Sequence, residues 1–104
     1  MAWTMLVAAG LLEILWSFLM KASQGFTRPV MTLATLVTMI ASFGLLAGAM
    51  RSLPLGTAYA VWTGIGALGA FAVGILVLGE AATPLRLLAA AMIAGGIALM
   101  KAAG

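Results

Sequence analysis

Four long apolar stretches, separated by short polar segments, are the feature that most constrains how this chain can fold. A helix needs ~20 apolar residues to cross the ~30 Å hydrocarbon core of a bilayer. The first three stretches meet that length, and each is bounded by charged residues, glycine or proline. The four stretches cover, approximately, residues 2–20, 30–50, 57–78 and 85–101.

The fourth stretch is shorter, because only residues 87–100 are free of charge. They would span about 21 Å at 1.5 Å per residue. Arg86 and Lys101 flank this run, and their long side chains can extend to opposite membrane interfaces. We therefore predict a fourth transmembrane helix, with both ends of the chain on the same side of the membrane.

Composition agrees with a membrane location. Hydrophobic residues make up 65% of the chain and charged residues 7%, whereas a soluble domain has about a quarter of its residues charged. So few charges cannot cover a soluble surface, and lipid must be the solvent for much of the chain. We expect an all-α integral membrane protein, with residues 1–104 forming one transmembrane domain of four helices.

Several function classes are disfavoured by what the sequence lacks. Without histidine or cysteine there are no disulfides and none of the usual zinc, haem or iron–sulfur ligands, so we expect no cofactor and no enzyme activity. The apolar N-terminal stretch lacks a basic leader region, which argues against a cleaved signal peptide. The basic residues do not cluster, which disfavours nucleic-acid binding; they are Lys21, Arg28, Arg51, Arg86 and Lys101.

The basic residues give little preference for one orientation. Lys21, Arg28 and Arg86 lie on one predicted side, and Arg51 and Lys101 on the other. Orientation follows the Lys/Arg asymmetry of short loops, which is weak here. Either small effects set one orientation, or the chain inserts both ways and pairs antiparallel. Four helices enclose little volume, so we expect an oligomer in either case.

Glu13 is the first candidate functional residue. It is one of two acidic residues, and residues 1–20 contain no other side-chain charge. A carboxylate inside an apolar span must take up a proton, meet a cation or face a polar cavity, and such residues usually have a function. Helical spacing places Gly10 and Trp16 on the same face. A carboxylate beside an indole suits an organic cation, although Trp16 can also be interpreted as an interfacial residue.

The third stretch contributes a second group of candidates. Tyr59 and Trp62 share a helical face, and each has a polar group that needs a partner when buried. A carboxylate such as that of Glu13 would supply one. Gly64 and Gly66 weaken this helix midway, which would suit a hinge, although glycines also serve close helix packing.

Three further features have simpler interpretations. Ser42 is the hydroxyl nearest mid-span in the second stretch, and such hydroxyls often bond only their own helix. Gly95 and Gly96 indicate close packing or dimerisation of the fourth helix. Glu80 lies in a turn near Arg86, and we interpret it as a solvated residue or surface ion pair with no transport role.

Together these residues resemble the small multidrug resistance family of bacterial transporters, most closely its guanidinium-exporter subtype. The similarity covers nearly the whole chain, and its departures are apolar exchanges and the third loop. Trp16 and Lys101 resemble the guanidinium branch rather than the branch that exports polyaromatic drugs. The motifs that match are GLLEILW around Glu13, Lys21 followed by Gly25–Arg28, and LPLGTAYAVWTGIG at residues 53–66.

The resemblance implies an antiparallel homodimer of dual-topology subunits in the bacterial inner membrane. Both Glu13 carboxylates would lie in one central pocket, where protons and guanidinium-type cations compete, giving proton-driven antiport by alternating access. It also implies that the third-helix glycines, Gly64 and Gly66 among them, form a bend that differs between subunits. The pocket would be lined by Trp16, Ser42, Tyr59 and Trp62.

Three alternatives stay open at this stage. A multidrug or quaternary ammonium exporter of the same family would share the fold and the glutamate. A rotary proteolipid subunit also places one carboxylate in a small, glycine-rich chain, but such subunits are usually helical hairpins. In a small structural or regulatory subunit, Glu13 would serve assembly alone.

Overall fold

The computed structural model describes residues 1–103, in which four helices and no strand are present. Each helix is long and apolar enough to cross a membrane. This confirms the predicted fold class, an all-α integral membrane protein of four helices. The helices are α1 (Ala2–Ala22), α2 (Pro29–Ala49), α3 (Leu55–Leu76) and α4 (Pro84–Ala103).

The turn between α1 and α2 depends on one buried serine and three left-handed residues. The Ser23 hydroxyl donates to the Met20 carbonyl at 2.7 Å and accepts the Phe26 N–H at 3.0 Å. Gln24, Gly25 and Phe26 then follow with φ of 53°, 73° and 67°, a conformation that costs energy for residues other than glycine. These residues reverse the chain, and Pro29 starts α2 at a position that needs no N–H donor.

The bounds of α3 differ from the predicted residues 57–78 by about two residues at each end. Pro54 is the N-cap of this helix, which begins at the next residue, Leu55. It ends at Leu76 because the N–H groups of Leu78 and Glu80 turn back to the carbonyls of Val73 and Gly74. Apolarity continues past that point, which is why the sequence pattern placed the end too late.

The helices pack unevenly. α1 packs against both α2 and α3, while α4 packs against α3. No residue of α4 is buried within the chain. Large apolar side chains exposed on all four helices are compatible with lipid as the surrounding solvent. The buried apolar core lies among α1, α2 and α3 and consists of Leu6, Ala9, Leu46, Ala49, Ala58, Val61 and Trp62.

Glycines permit the close approach of α1 and α3. A Cβ atom at Gly10 would lie 2.6 Å from Cγ2 of Ile65, and one at Gly69 would overlap Ile14. Small residues allow helices in a membrane to approach closely and gain dispersion contacts. α3 is helical without interruption through Gly64 and Gly66, so their role as a hinge stays a prediction.

Candidate functional site

Glu13 lies near the middle of α1 and faces α3. Its carboxylate contacts the backbone of Gly66, where a Cβ atom on any other residue would overlap it. Oε1 of Glu13 is buried and has no hydrogen-bond partner among residues 1–103. The carboxylate is therefore positioned by packing against a glycine rather than by a hydrogen bond to that oxygen.

Trp16 follows Glu13 by about one helical turn, and it too has a polar atom that forms no hydrogen bond in the described part of the chain. That atom is the buried Nε1. Buried polar atoms are nearly always paired in folded proteins. An acceptor and a donor left unpaired on one stretch of helix indicate a place where a ligand or another protein surface belongs.

Ser42 joins three helices through one buried hydroxyl. It donates to the Ala9 carbonyl of α1 at 2.6 Å and accepts the Trp62 Nε1–H of α3 at 3.1 Å. The serine does not bond its own helix, unlike Thr35 and Thr38 of the same helix. The sequence also led us to expect the Trp62 indole to bond a Glu13 carboxylate. The structure differs, because this single N–H is used by Ser42.

A row of aromatic rings runs from Trp16 to Tyr59. Phe43 packs edge-on against Trp16, with centroids 6.3 Å apart, and against Trp62 at 5.8 Å. Tyr59 lies tilted against Trp62 at 5.6 Å. Trp62 is 7% exposed, whereas its two neighbours in the row, Phe43 and Tyr59, are 46% and 54% exposed. The rings on either side of Trp62 are therefore open to the outside of the chain.

Phe43 is the member of this group that sequence reasoning missed. Helical spacing gave no signal for it, because Phe43 follows Ser42 directly and adjacent residues of a helix do not share a face. The structure therefore brings Trp16, Ser42, Tyr59 and Trp62 together through Phe43 and one hydrogen bond.

The site offers the Glu13 carboxylate, the Trp16 indole donor, the Tyr59 hydroxyl and several aromatic faces. Within residues 1–103 no group of three His, Cys, Asp or Glu side chains is placed to hold a metal ion. Carboxylates pair with cations, and aromatic faces attract them through the ring quadrupole. An organic cation is the ligand that these groups fit together.

Comparisons with known proteins agree with this chemistry. Residues 1–93 match the sequence profile described as "Small Multidrug Resistance protein". A protein named guanidinium exporter from Escherichia coli K12 is 54% identical over 101 residues, covering 97% of this chain and 96% of the relative. Guanidinium exporters of Citrobacter freundii and Salmonella typhimurium are each 52% identical with the same coverage.

These relatives are exporters by name, which places the chain in a family of transporters. Four membrane-spanning helices and bacterial exporter relatives identify a multi-pass protein of the bacterial inner membrane. With most of its length matched by the family profile and half of its residues identical to those of full-length relatives, the chain belongs to the small multidrug resistance family.

Proposed function

We propose that this protein is a proton-coupled antiporter that exports guanidinium and small substituted guanidinium ions. The observation that carries the proposal is the Glu13 carboxylate of α1, whose buried Oε1 has no hydrogen-bond partner among residues 1–103. Trp16, the first ring of the aromatic row, follows it by about one helical turn. The relatives named guanidinium exporters support the choice of substrate.

The shape of the ion suits these groups. Guanidinium is planar and always charged near neutral pH, and it donates parallel N–H bonds that match the two oxygens of a carboxylate. Its flat face can stack on an indole or phenyl ring. Glu13 would supply the acceptors, and Trp16 and Phe43 the flat surfaces.

Protons and guanidinium would compete for the same carboxylates. Guanidinium binds the ionised form of Glu13, whereas a proton neutralises it. If the empty, charged site seldom crosses the membrane, competition alone couples the two fluxes. Protons would enter from outside and leave Glu13 on the inside, where guanidinium takes their place and is exported.

A complete pocket would require a second copy of the chain. Each subunit contributes one Glu13, and the aromatic row is open on the Tyr59 side. The face of α4 is free as well, with no buried residue and with open space around Gly95 and Gly96. In an antiparallel homodimer, exchange of the two subunits' conformations would convert an outward-facing pocket into an identical inward-facing one.

Export of multidrug or quaternary ammonium cations is the second candidate. The row of four aromatic rings favours it, because ring faces attract quaternary ammonium ions and stack on flat aromatic cations. We expect guanidinium and monosubstituted alkyl guanidinium ions to be transported and bulky tetrasubstituted aromatic cations to be transported poorly, because Trp16 and Phe43 narrow the pocket.

Guanidinium-triggered current, recorded on a supported membrane with purified protein, tests the proposal. We expect a transient for the wild type and none for Glu13→Gln, which keeps the side-chain shape but cannot ionise. Glu13→Asp serves as the matched control that keeps a charge, and it should retain a reduced current. Each variant must elute with the wild-type particle size.

The possible results separate the two candidates. Current with a quaternary ammonium ion but not with guanidinium would favour the multidrug exporter. The absence of current with both cations would contradict the proposed transport function and favour a structural subunit. Wild-type guanidinium current in Glu13→Gln would refute the assignment of Glu13 as the binding residue.

A further inference from the structure

A cavity of about 350 Å³ lies between the C-terminal halves of α1 and α3, beneath the loop that connects α3 to α4. Its volume is ample for a guanidinium ion. The site described above does not include it, and two opposite charges line it. The lining residues that matter here are Ser17, Lys21, Ala67, Phe71, Gly74 and Glu80.

Glu80 turns into this cavity. Its carboxylate rests against the backbone of Gly74, where a Cβ atom would overlap it. The Glu80 N–H donates to the Gly74 carbonyl at 2.9 Å, which holds the loop over the end of α3. The expected surface pair with Arg86 is absent among the described residues, because the Arg86 guanidinium donates to the Ala81 carbonyl at 3.3 Å. Glu80 is nevertheless exposed, which agrees with its interpretation as a solvated residue.

The cavity extends towards the central carboxylate. Ser17 lies one helical turn beyond Glu13, and Ala67 directly follows the Gly66 that Glu13 contacts. Gly66 and Gly74 are separated by about 12 Å along α3 at 1.5 Å per residue. Two carboxylates thus lie against glycines of the same helix, one near mid-membrane and one near the helix end, with this cavity between them.

The charges that face Glu80 come from two neighbouring helices. Lys21 of α1 lines the same cavity. Arg86 of α4 lines an adjacent groove that shares Ala67 and Phe71 with it. The flexible lysine can reach across the cavity, whereas Arg86 is held at the loop by its hydrogen bond. Lys21 is accordingly a tethered cation placed to compete for the carboxylate.

From this geometry we propose that the cavity is a vestibule with a second, weaker guanidinium site at Glu80, for which Lys21 competes as a tethered cation. The inference rests on the proposed function, because guanidinium must be the ion that moves. A guanidinium ion on its way between the cavity mouth and Glu13 would bind the Glu80 carboxylate when the Lys21 ammonium moves away from it. When no guanidinium ion is bound, the Lys21 ammonium would occupy the place beside Glu80 and exclude other cations from the vestibule.

Binding can be tested without the central site. In Glu13→Gln protein labelled with ¹⁵N-glycine, the Gly74 amide signal should shift saturably with guanidinium chloride and not with equal sodium chloride. The shift should disappear in the Glu13→Gln, Glu80→Gln double variant. A Gly74 signal that ignores guanidinium, or that shifts equally in the double variant, would overturn the second site.

Transport provides an independent test, with charge changes of opposite sign. In proteoliposomes, Glu80→Gln should raise the guanidinium KM by about two- to fivefold and Lys21→Met should lower it, the scale of an exposed ion pair. Arg51→Met, which removes a positive charge outside the cavity, is the matched control. Equal KM values in all variants, or shifts of the same sign for Glu80→Gln and Lys21→Met, would contradict the vestibule. These outcomes are distinguishable from failure of the proposed function, because in that case the wild type itself would show no guanidinium transport.

Discussion

The α1–α3 interface and the face of α4 use the same small residues in opposite ways. At the interface, Gly10, Gly66 and Gly69 each accept a side chain of the facing helix, and at Gly66 that side chain is the Glu13 carboxylate. On α4, Gly95 and Gly96 have open space around them. The difference shows that a glycine in a membrane helix positions a functional group only where a neighbouring helix presents one. Four experiments would break or sharpen this contrast.

Gly66→Ala should have the largest effect. The added methyl group would occupy the place of the Glu13 carboxylate, and forced overpacking of this kind typically costs about 1–3 kcal/mol. We expect guanidinium-triggered current to fall at least about tenfold, the equivalent of ~1.4 kcal/mol. Gly56→Ala, at the start of α3 with open space around the added Cβ atom, is the matched control, with near wild-type current expected. Equal currents for the two variants would remove the distinction between packed and open glycines.

Acidification should weaken guanidinium binding to Glu13 at the α1–α3 interface. If a cation and a proton compete for one carboxylate, the apparent Kd rises as pH falls, by up to about tenfold per pH unit where one proton is displaced. At high pH the Kd should become constant, because no proton remains to be displaced. Titrations by tryptophan fluorescence across pH would measure this. A Kd independent of pH would separate binding from proton coupling.

Removing the Ser42 hydroxyl should loosen the bundle around α1. Ser42→Ala would leave the Trp62 N–H unpaired and buried, and such losses cost about 1–3 kcal/mol. The free energy of unfolding in detergent should fall by that amount. Thr32→Val is the control, because the Thr32 hydroxyl bonds only the Arg28 carbonyl of the preceding turn and is exposed. Equal losses in both variants would argue against a special role for the three-helix junction.

The smallest expected effect concerns the end of α4. The Lys101 ammonium lies 5.2 Å from the centroid of the Trp3 ring, a cation–π contact between α4 and α1. Such contacts are worth about 0.5–1 kcal/mol at exposed sites. Lys101→Met should therefore lower the free energy of unfolding slightly, whereas Lys101→Arg should preserve it. A loss as large as that of Ser42→Ala would mean that α4 is held more firmly than its lack of burial indicates.

Much of the fold could be predicted from local chemistry. Long apolar stretches bounded by charged residues, glycine and proline predicted four membrane helices, because hydrocarbon leaves a backbone few other ways to satisfy its hydrogen bonds. The ends were less certain. α3 begins and ends two residues early, since capping bonds at Gly74 and Val73 rather than apolarity decide its C-terminus.

The candidate site also has a part that could be predicted from the sequence and a part that could not. A lone carboxylate in an apolar span made Glu13 the first candidate from the sequence alone, because such residues usually have a function. Its role as a site residue stays a prediction. Its neighbours on α1 followed from helical spacing. The partners on other helices did not, because periodicity specifies which face a residue lies on but not which helix that face meets.

Those cross-helix contacts depend on tertiary packing. Packing placed the Ser42 hydroxyl between Ala9 and Trp62, and it placed Phe43 between two tryptophans. It also placed the carboxylate of the exposed Glu80 against Gly74, in the cavity that Lys21 lines. The amino-acid sequence specifies which chemical groups enter the membrane. Their pairing depends on the rotation and separation of neighbouring helices, which arise from the packing of the whole bundle.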